Sequence, residues 1–147
     1  MPSPGTKKSI FDTNIYIYAM RYGSESQEYQ LLFSHLPRTY LSSVVSAELY
    51  AGVLDPIGSK LVQRFISRTE RVGRIVTPTH QMWNKAGQIL ARIKGMESKY
   101  KSKSTGFLND ILIALSALQI GATLYTRNAE DFQLIQRYQP FLLETIS

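Results

Sequence analysis

Cysteine is absent from this chain of 147 residues, which excludes disulfides, thiolate nucleophiles and Cys-based zinc sites together. Histidine is nearly so: the two present, His35 and His80, lie in unrelated contexts and read as surface or packing residues. No Ser-His-Asp or Cys-His arrangement can therefore be assembled from a recognisable nucleophile motif. Neither G-x-x-x-x-G-K-[ST] nor G-x-G-x-x-G occurs, which leaves nucleoside triphosphate binding without support. No apolar run approaches the roughly 18 residues of a membrane span, and Met1 to Lys8 lack the apolar core of a signal peptide. The expectation is a soluble, cytoplasmic protein with no membrane partner. Acidic residues are also scarce. Eleven Asp and Glu face seventeen Lys and Arg, for a net charge of +6 and a pI near 9.6. Such a positive field favours nucleic acid or an anionic membrane face, the bland alternative being a basic protein that is merely soluble.

Apolar residues make up 44% of the chain, enough for one core; a domain of this size hides roughly 68–70% of the surface its unfolded form exposes. No repeat, linker or low-complexity tract divides it. Residues 1–8 read as a disordered extension and residues 9–147 as a single domain. Ser9 to Asp12 reads as a buried first strand turning into a helix over Ile15 to Met20. A helix follows from Ser26 to Leu36, with its apolar positions at Tyr29, Leu32, Phe33 and Leu36, and Pro37 stops it before a short strand, Thr39 to Leu41. Ser42 and Ser43 offer caps for a helix over Val44 to Leu54. A further helix covers Ser59 to Thr69, Arg74 to Thr77 forms a third strand, and Thr79 caps a long helix ending near Gly95. Lys94 to Gly106 reads as an exposed basic loop. Phe107 to Ile120 is apolar on nearly every face, the pattern of a helix buried on several sides, with Asp110 in its first turn. Thr123 to Tyr125 is a fourth strand, Glu130 to Tyr138 a helix and Phe141 to Leu143 a last strand. This alternation predicts an α/β fold with a mostly parallel sheet.

Short polar words interrupt these apolar elements: Asp12-Thr13-Asn14, Glu48, Asn109-Asp110, and Thr126 to Asp131. Ligands of parallel α/β sheets bind outside the carboxyl ends of the strands, and Asp12, Glu48, Asp110, Asn128 and Asp131 can all reach that edge. An ionised carboxylate is expensive to bury unless a cation meets it. Oxygen ligands without Cys point to a hard octahedral ion, Mg²⁺ or Mn²⁺, and phosphodiester hydrolysis suits such an ion on a basic surface. Each residue also has a plainer reading. Asp12 could cap the next helix; Glu48 could be a solvated charge; Asp110 could complement the helix dipole; Asn128 and Asp131 could cap the last helix.

Phe11-Asp12-Thr13-Asn14-Ile15, Leu41 to Leu49 with Gly52, Asn109 to Ala114, and Gly121 to Phe132 resemble the four signature blocks of PIN-domain ribonucleases, and among them the VapC toxins of toxin–antitoxin pairs. The resemblance covers about residues 9 to 144. It implies a PIN-like three-layer α/β/α sandwich and a Mg²⁺- or Mn²⁺-dependent endoribonuclease in which Asp12, Glu48 and Asp110 hold the metal. It also implies an RNA substrate, often transfer RNA, together with frequent homodimers and inhibition by a VapB-like antitoxin. The family's fourth acidic position maps to Asn128, an amide that adds no charge; Asp131, a helical turn on, is the candidate to supply it, with Thr126 helping through its hydroxyl. Asn14, Thr126 and Arg127 are candidate substrate contacts, Arg127 being the basic residue inside the fourth block. Lys101 and Lys103, beside Lys94, Lys99 and Tyr100, form a candidate phosphate-gripping rim, or else a merely solvated loop. Arg64, Arg68 and Arg71 form a basic stripe at helical spacing, either a solvent face or a seat for an acidic partner. A different class, a PIN-like module that binds RNA or protein without cleaving, remains open because of Asn128. A haloacid-dehalogenase-like phosphatase would want Asp-x-Asp where this chain has Asp12-Thr13-Asn14.

Overall fold

The alternating pattern folds as the periodicities dictate. The computed structural model describes residues 7–100 and 105–147. Its strands are β1 (Ser9–Phe11), β2 (Thr39–Ser42), β3 (Ile75–Val76), β4 (Thr123–Thr126) and β5 (Leu142–Thr145). Its α-helices are α1 (Thr13–Tyr22), α2 (Gln27–His35), α3 (Ser43–Gly52), α4 (Pro56–Arg71), α5 (His80–Met96), α6 (Thr105–Ile120) and α7 (Ala129–Tyr138). The strands lie in the order β3-β2-β1-β4-β5, and every neighbouring pair is parallel. With helices on both faces this is the expected α/β/α sandwich. No helix among the described residues is long and apolar enough to cross a membrane.

Chain order reverses between β1 and β4. From β1 the chain moves outward through β2 to β3, then returns to place β4 on the other side of β1. The crevice of such a sheet opens where these outward paths diverge, at the carboxyl ends of β1 and β4. Asp12 follows one strand directly and Thr126 ends the other. β1 is buried along its whole length, as the central strand must be, and Ile10, Phe11 and Leu124 are fully excluded from solvent. α6 is the apolar helix expected, with Ile111, Leu112, Ile113, Leu115 and Ala117 all buried.

Several boundaries and faces differ from expectation. α6 begins at Thr105, so Asp110 falls in its second turn instead of its first, beyond most of the reach of the helix dipole. The basic stretch before it is not wholly exposed, because Tyr100 closes a 3₁₀ turn, is buried, and packs on Phe107 with ring centroids 5.1 Å apart. Lys101 and Lys103 lie outside the described residues. At the other end Lys8 joins the fold, its carbonyl accepting from the Thr123 N–H at 3.0 Å. On α2 the expected apolar face is only partly inward: Leu32 packs against the core, but Tyr29, Phe33 and, just past the helix, Leu36 are exposed while Glu28 is buried.

The histidines are structural. His35 sits at the amino end of the sheet, bonded to the Ser9 hydroxyl at 2.7 Å and set edge-on to Phe11 and Tyr125. His80 is exposed and contacts Asn84.

Candidate active site

Asp12 owes its position to the abrupt change from strand to helix. Its backbone N–H still pairs with β4, donating to the Tyr125 carbonyl at 2.9 Å, while its extended φ and ψ make it the N-cap of α1. The capping role weighed for it is therefore real, and one carboxylate oxygen accepts from the Thr13 N–H at 2.8 Å. The other oxygen accepts from the Thr126 hydroxyl at 2.8 Å. Asn or Ser would serve the cap as well, whereas only a carboxylate offers an acceptor oxygen to each of the two donors.

Only 5% of Asp12 is exposed. Burial pushes its pKa up to about 6, against the hydrogen bonds from Thr126 and Thr13, which lower it, and with the Glu48 charge, which adds to the rise. Glu48 comes from α3 and accepts the Thr13 hydroxyl at 2.6 Å. Thr13 thus bridges the two carboxylates, giving its backbone N–H to one and its hydroxyl to the other. Asp110 is half-buried on α6, which packs against α3 and β4, the elements that carry Glu48 and Thr126.

The loop after β4 supplies the remaining candidates. Thr126 is fully buried, and its hydroxyl oxygen accepts the Asn128 N–H at 2.9 Å while its proton goes to Asp12. Asn128 caps α7, accepting from the Asp131 N–H at 3.4 Å, and its amide nitrogen donates to the Asp131 carboxylate at 3.1 Å. Asp131 also receives the Tyr100 hydroxyl at 2.9 Å. Burial and then the Asp131 carboxylate push the Tyr100 phenol up to about 12. Next to this pair Lys99 is bound to Glu130. Asn128 and Asp131 are tied to each other and to Tyr100, with Thr126 as their link to Asp12.

Asn14 and Arg127 meet through the backbone, the Arg127 N–H donating to Asn14 Oδ1 at 3.3 Å. The Arg127 side chain leads away to α1 and α2, where its Nε stands 3.3 Å from Glu28 Oε2 and its guanidinium lies 3.7 Å from the centre of the Tyr18 ring. Sequence reasoning missed Glu28 and Tyr18. Leu31 and Leu32, three and four residues on, share the inward face with Glu28 and pack against the core, but the more numerous exposed apolar residues Tyr29, Phe33 and Leu36 masked that signal.

Residues 9–137 match the family described as PIN domain. The chain belongs to that family. PIN domains are generally nucleases and typically use divalent metals. Among solved structures, VapBC2 from Rickettsia felis, bound to a DNA fragment from its promoter, is 25% identical to this PIN domain, with a TM-score of 0.63 over 95% of this chain and 98% of that one. DNA-bound VapBC from Salmonella typhimurium is 20% identical, with a TM-score of 0.66 over 95% and 98%. VapBC-1 from nontypeable Haemophilus influenzae is 21% identical, with a TM-score of 0.62 over 93% and 96%. The last two show likeness of fold alone. No curated protein matches the sequence.

The residues of this PIN domain suit a divalent cation in kind. They offer oxygen donors without sulfur, and a desolvated carboxylate with a second negative charge beside it gains from a cation. The arrangement is not a finished cage, for among the described residues no group of three or more His, Asp or Glu side chains is placed to hold an ion. Asp12 and Glu48 are each drawn onto hydroxyl donors instead.

Proposed function

We propose that this PIN domain is a Mg²⁺- or Mn²⁺-dependent endoribonuclease of the VapC type, the toxin of a toxin–antitoxin pair. The observation that carries the reading is Asp12. It is a buried carboxylate at the divergence of the sheet, with its pKa raised and Glu48 adding to the rise. A purely structural cap has no use for that charge, whereas a cation site does.

Asp12, Glu48 and Asp110 are the residues assigned to hold the ion. Held there, a divalent ion would supply water activation and charge neutralisation at the scissile phosphate. Thr126 and the Thr13 N–H keep Asp12 oriented, one on each oxygen. Glu48 can exchange the Thr13 hydroxyl for an ion or for a proton of the attacking water, which gives it the role of ligand or base. Asn128 and Asp131, buttressed by Tyr100, form the α7 side of the site. The net charge of +6 supports a polyanionic substrate. An antitoxin partner draws support from the toxin–antitoxin complexes among the similar structures and from an apolar groove of about 340 Å³ lined in part by Tyr16, Tyr29, Leu32, Phe33 and Phe65.

The test is incubation of the purified protein, freed of any antitoxin, with total RNA in Mn²⁺, in Mg²⁺ and in EDTA, beside Asp12→Asn. Discrete fragments that need both the metal and Asp12 are expected. Intact RNA in every lane, with the protein folded, would favour the second reading. That reading is a PIN fold that binds without cleaving, and it draws on Asn128 and on acids not yet gathered into a cage.

A further inference from the structure

Glu28 and Asp12 are the buried carboxylates among the described residues, and only Asp12 belongs to the site. Glu28 stands on α2 with 3% of its surface exposed. A carboxylate in that position needs a cation beside it, and the structure supplies Arg127. The pairing is unusual in where it leads. Arg127 lies between Thr126, whose hydroxyl holds Asp12, and Asn128, whose N–H holds that same hydroxyl.

The Arg127 residue is held from α1 and α2. The side chain is clamped between the Glu28 carboxylate and the face of Tyr18, and the backbone N–H is taken by Asn14. The Nε–Glu28 contact falls outside hydrogen-bonding geometry, so charge and stacking hold the guanidinium in place. A residue anchored by both side chain and backbone fixes the torsions of its neighbours. Thr126 can keep its 2.8 Å bond to Asp12 only while the β4–α7 turn stays in register, because hydrogen bonds fade over a few tenths of an ångström.

We propose that Glu28, acting through Arg127, is a positioning residue of the nuclease site: their ion pair, seated on Tyr18, sets the β4–α7 turn that keeps the Thr126 hydroxyl on Asp12. This gives Arg127 a role different from the RNA contact its sequence position suggests. The inference rests on the nuclease reading for its functional meaning, but its geometric content can be measured without RNA.

The experiment compares Glu28→Gln, Arg127→Gln, Arg127→Lys and the Glu28→Gln/Arg127→Gln double variant in the full chain. Amide hydrogen exchange at residues 126–128 is followed without RNA, Mn²⁺ affinity by calorimetry, and kcat and KM on RNA. Faster exchange at these amides is expected in both Gln variants. So is a loss of about tenfold in Mn²⁺ affinity and kcat, the lower end of what removal of an outer supporting partner costs, with KM unchanged. The double variant should be no worse than either single one, and Arg127→Lys should recover part of the loss. A raised KM with unchanged kcat in Arg127→Gln, while Glu28→Gln behaves as the parent, would make Arg127 a substrate contact and overturn the proposal. Additive losses would overturn it too. If the parent cleaves no RNA, the nuclease reading fails, while exchange and Mn²⁺ affinity still decide whether the ion pair sets the turn. If Glu28→Gln does not fold, the half-exposed Arg127 position carries the same kcat-against-KM test.

Discussion

Replacing Asp12 by Asn removes a charge that the fold holds at a cost, and the size of that cost follows from the site. Burial raises the carboxylate from its ordinary value of 3.8 to about 6. A rise of about two pKa units corresponds to roughly 3 kcal/mol between the protonation states. The sign follows from proton binding. Between about pH 4 and pH 6 the folded chain keeps a proton that the unfolded chain releases, so this group's stabilising contribution is intact below about pH 4 and is lost as pH rises through 6. The amide of the variant would not titrate. It would accept one of the two present hydrogen bonds through its oxygen but present an N–H₂ to the other donor, at a cost of about 1 kcal/mol. With chelator present, Asp12→Asn should therefore be slightly less stable than the parent at pH 4 and more stable at pH 8 by about 1–2 kcal/mol, which is roughly 3–6 °C in Tm for a chain of this length. Thermal melts at both pH values, in EDTA and then in excess Mn²⁺, make the measurement. Mn²⁺ should raise the parent's Tm, by the equivalent of about 2.7 kcal/mol at a hundred times Kd, and leave the variant nearly unmoved. A stability difference between variant and parent that is the same at pH 4 and pH 8 would refute the claim that Asp12 is held as a strained anion. An equal response of both proteins to Mn²⁺ would remove Asp12 from the metal site.

Asp110→Asn should abolish RNA cleavage while leaving the fold intact in a thermal melt, because it removes carboxylate repulsion from the metal-free site; unfolding without loss of metal dependence would make Asp110 a structural residue. Asn128→Asp keeps the cap of α7 but sets a carboxylate where an amide now donates to Asp131. It should cost about 1 kcal/mol at neutral pH through like-charge repulsion, recovered below about pH 4 and offset by Mn²⁺ if the new carboxylate reaches the ion. Melts across pH, with and without Mn²⁺, would show either effect, and a cost that is the same at every pH would mean the side chains do not meet.

Local chemistry made much of the fold legible. Ser26, Ser42 and Thr79 cap α2, α3 and α5, as short polar residues before helical runs should. The Phe107 to Ile120 run is the buried helix its all-round apolarity indicates. The acids at element edges were also visible as words out of place, and Asp12, Glu48 and Thr13 do come together. Less visible was how many candidate contacts serve one another. Thr126 and Asn14 read as residues that reach outward, yet one holds Asp12 and the other holds the Arg127 backbone.

By itself, the sequence determined the alternation of strands and helices, the caps, the oxygen-only donor set and the positive charge, since each depends on residues within a few positions of one another or on composition alone. Only the tertiary structure decided the strand order that brings Asp12 beside Thr126, the face α2 turns inward, and the partnership of Glu28 with Arg127. The Asp12–Thr126 and Glu28–Arg127 contacts join residues about a hundred positions apart, where periodicity carries no information. A helical pattern says that a face will be buried, but which face and against what is settled by the packing of the neighbouring element. On α2 that packing buried Glu28 and left Tyr29 and Phe33 outside.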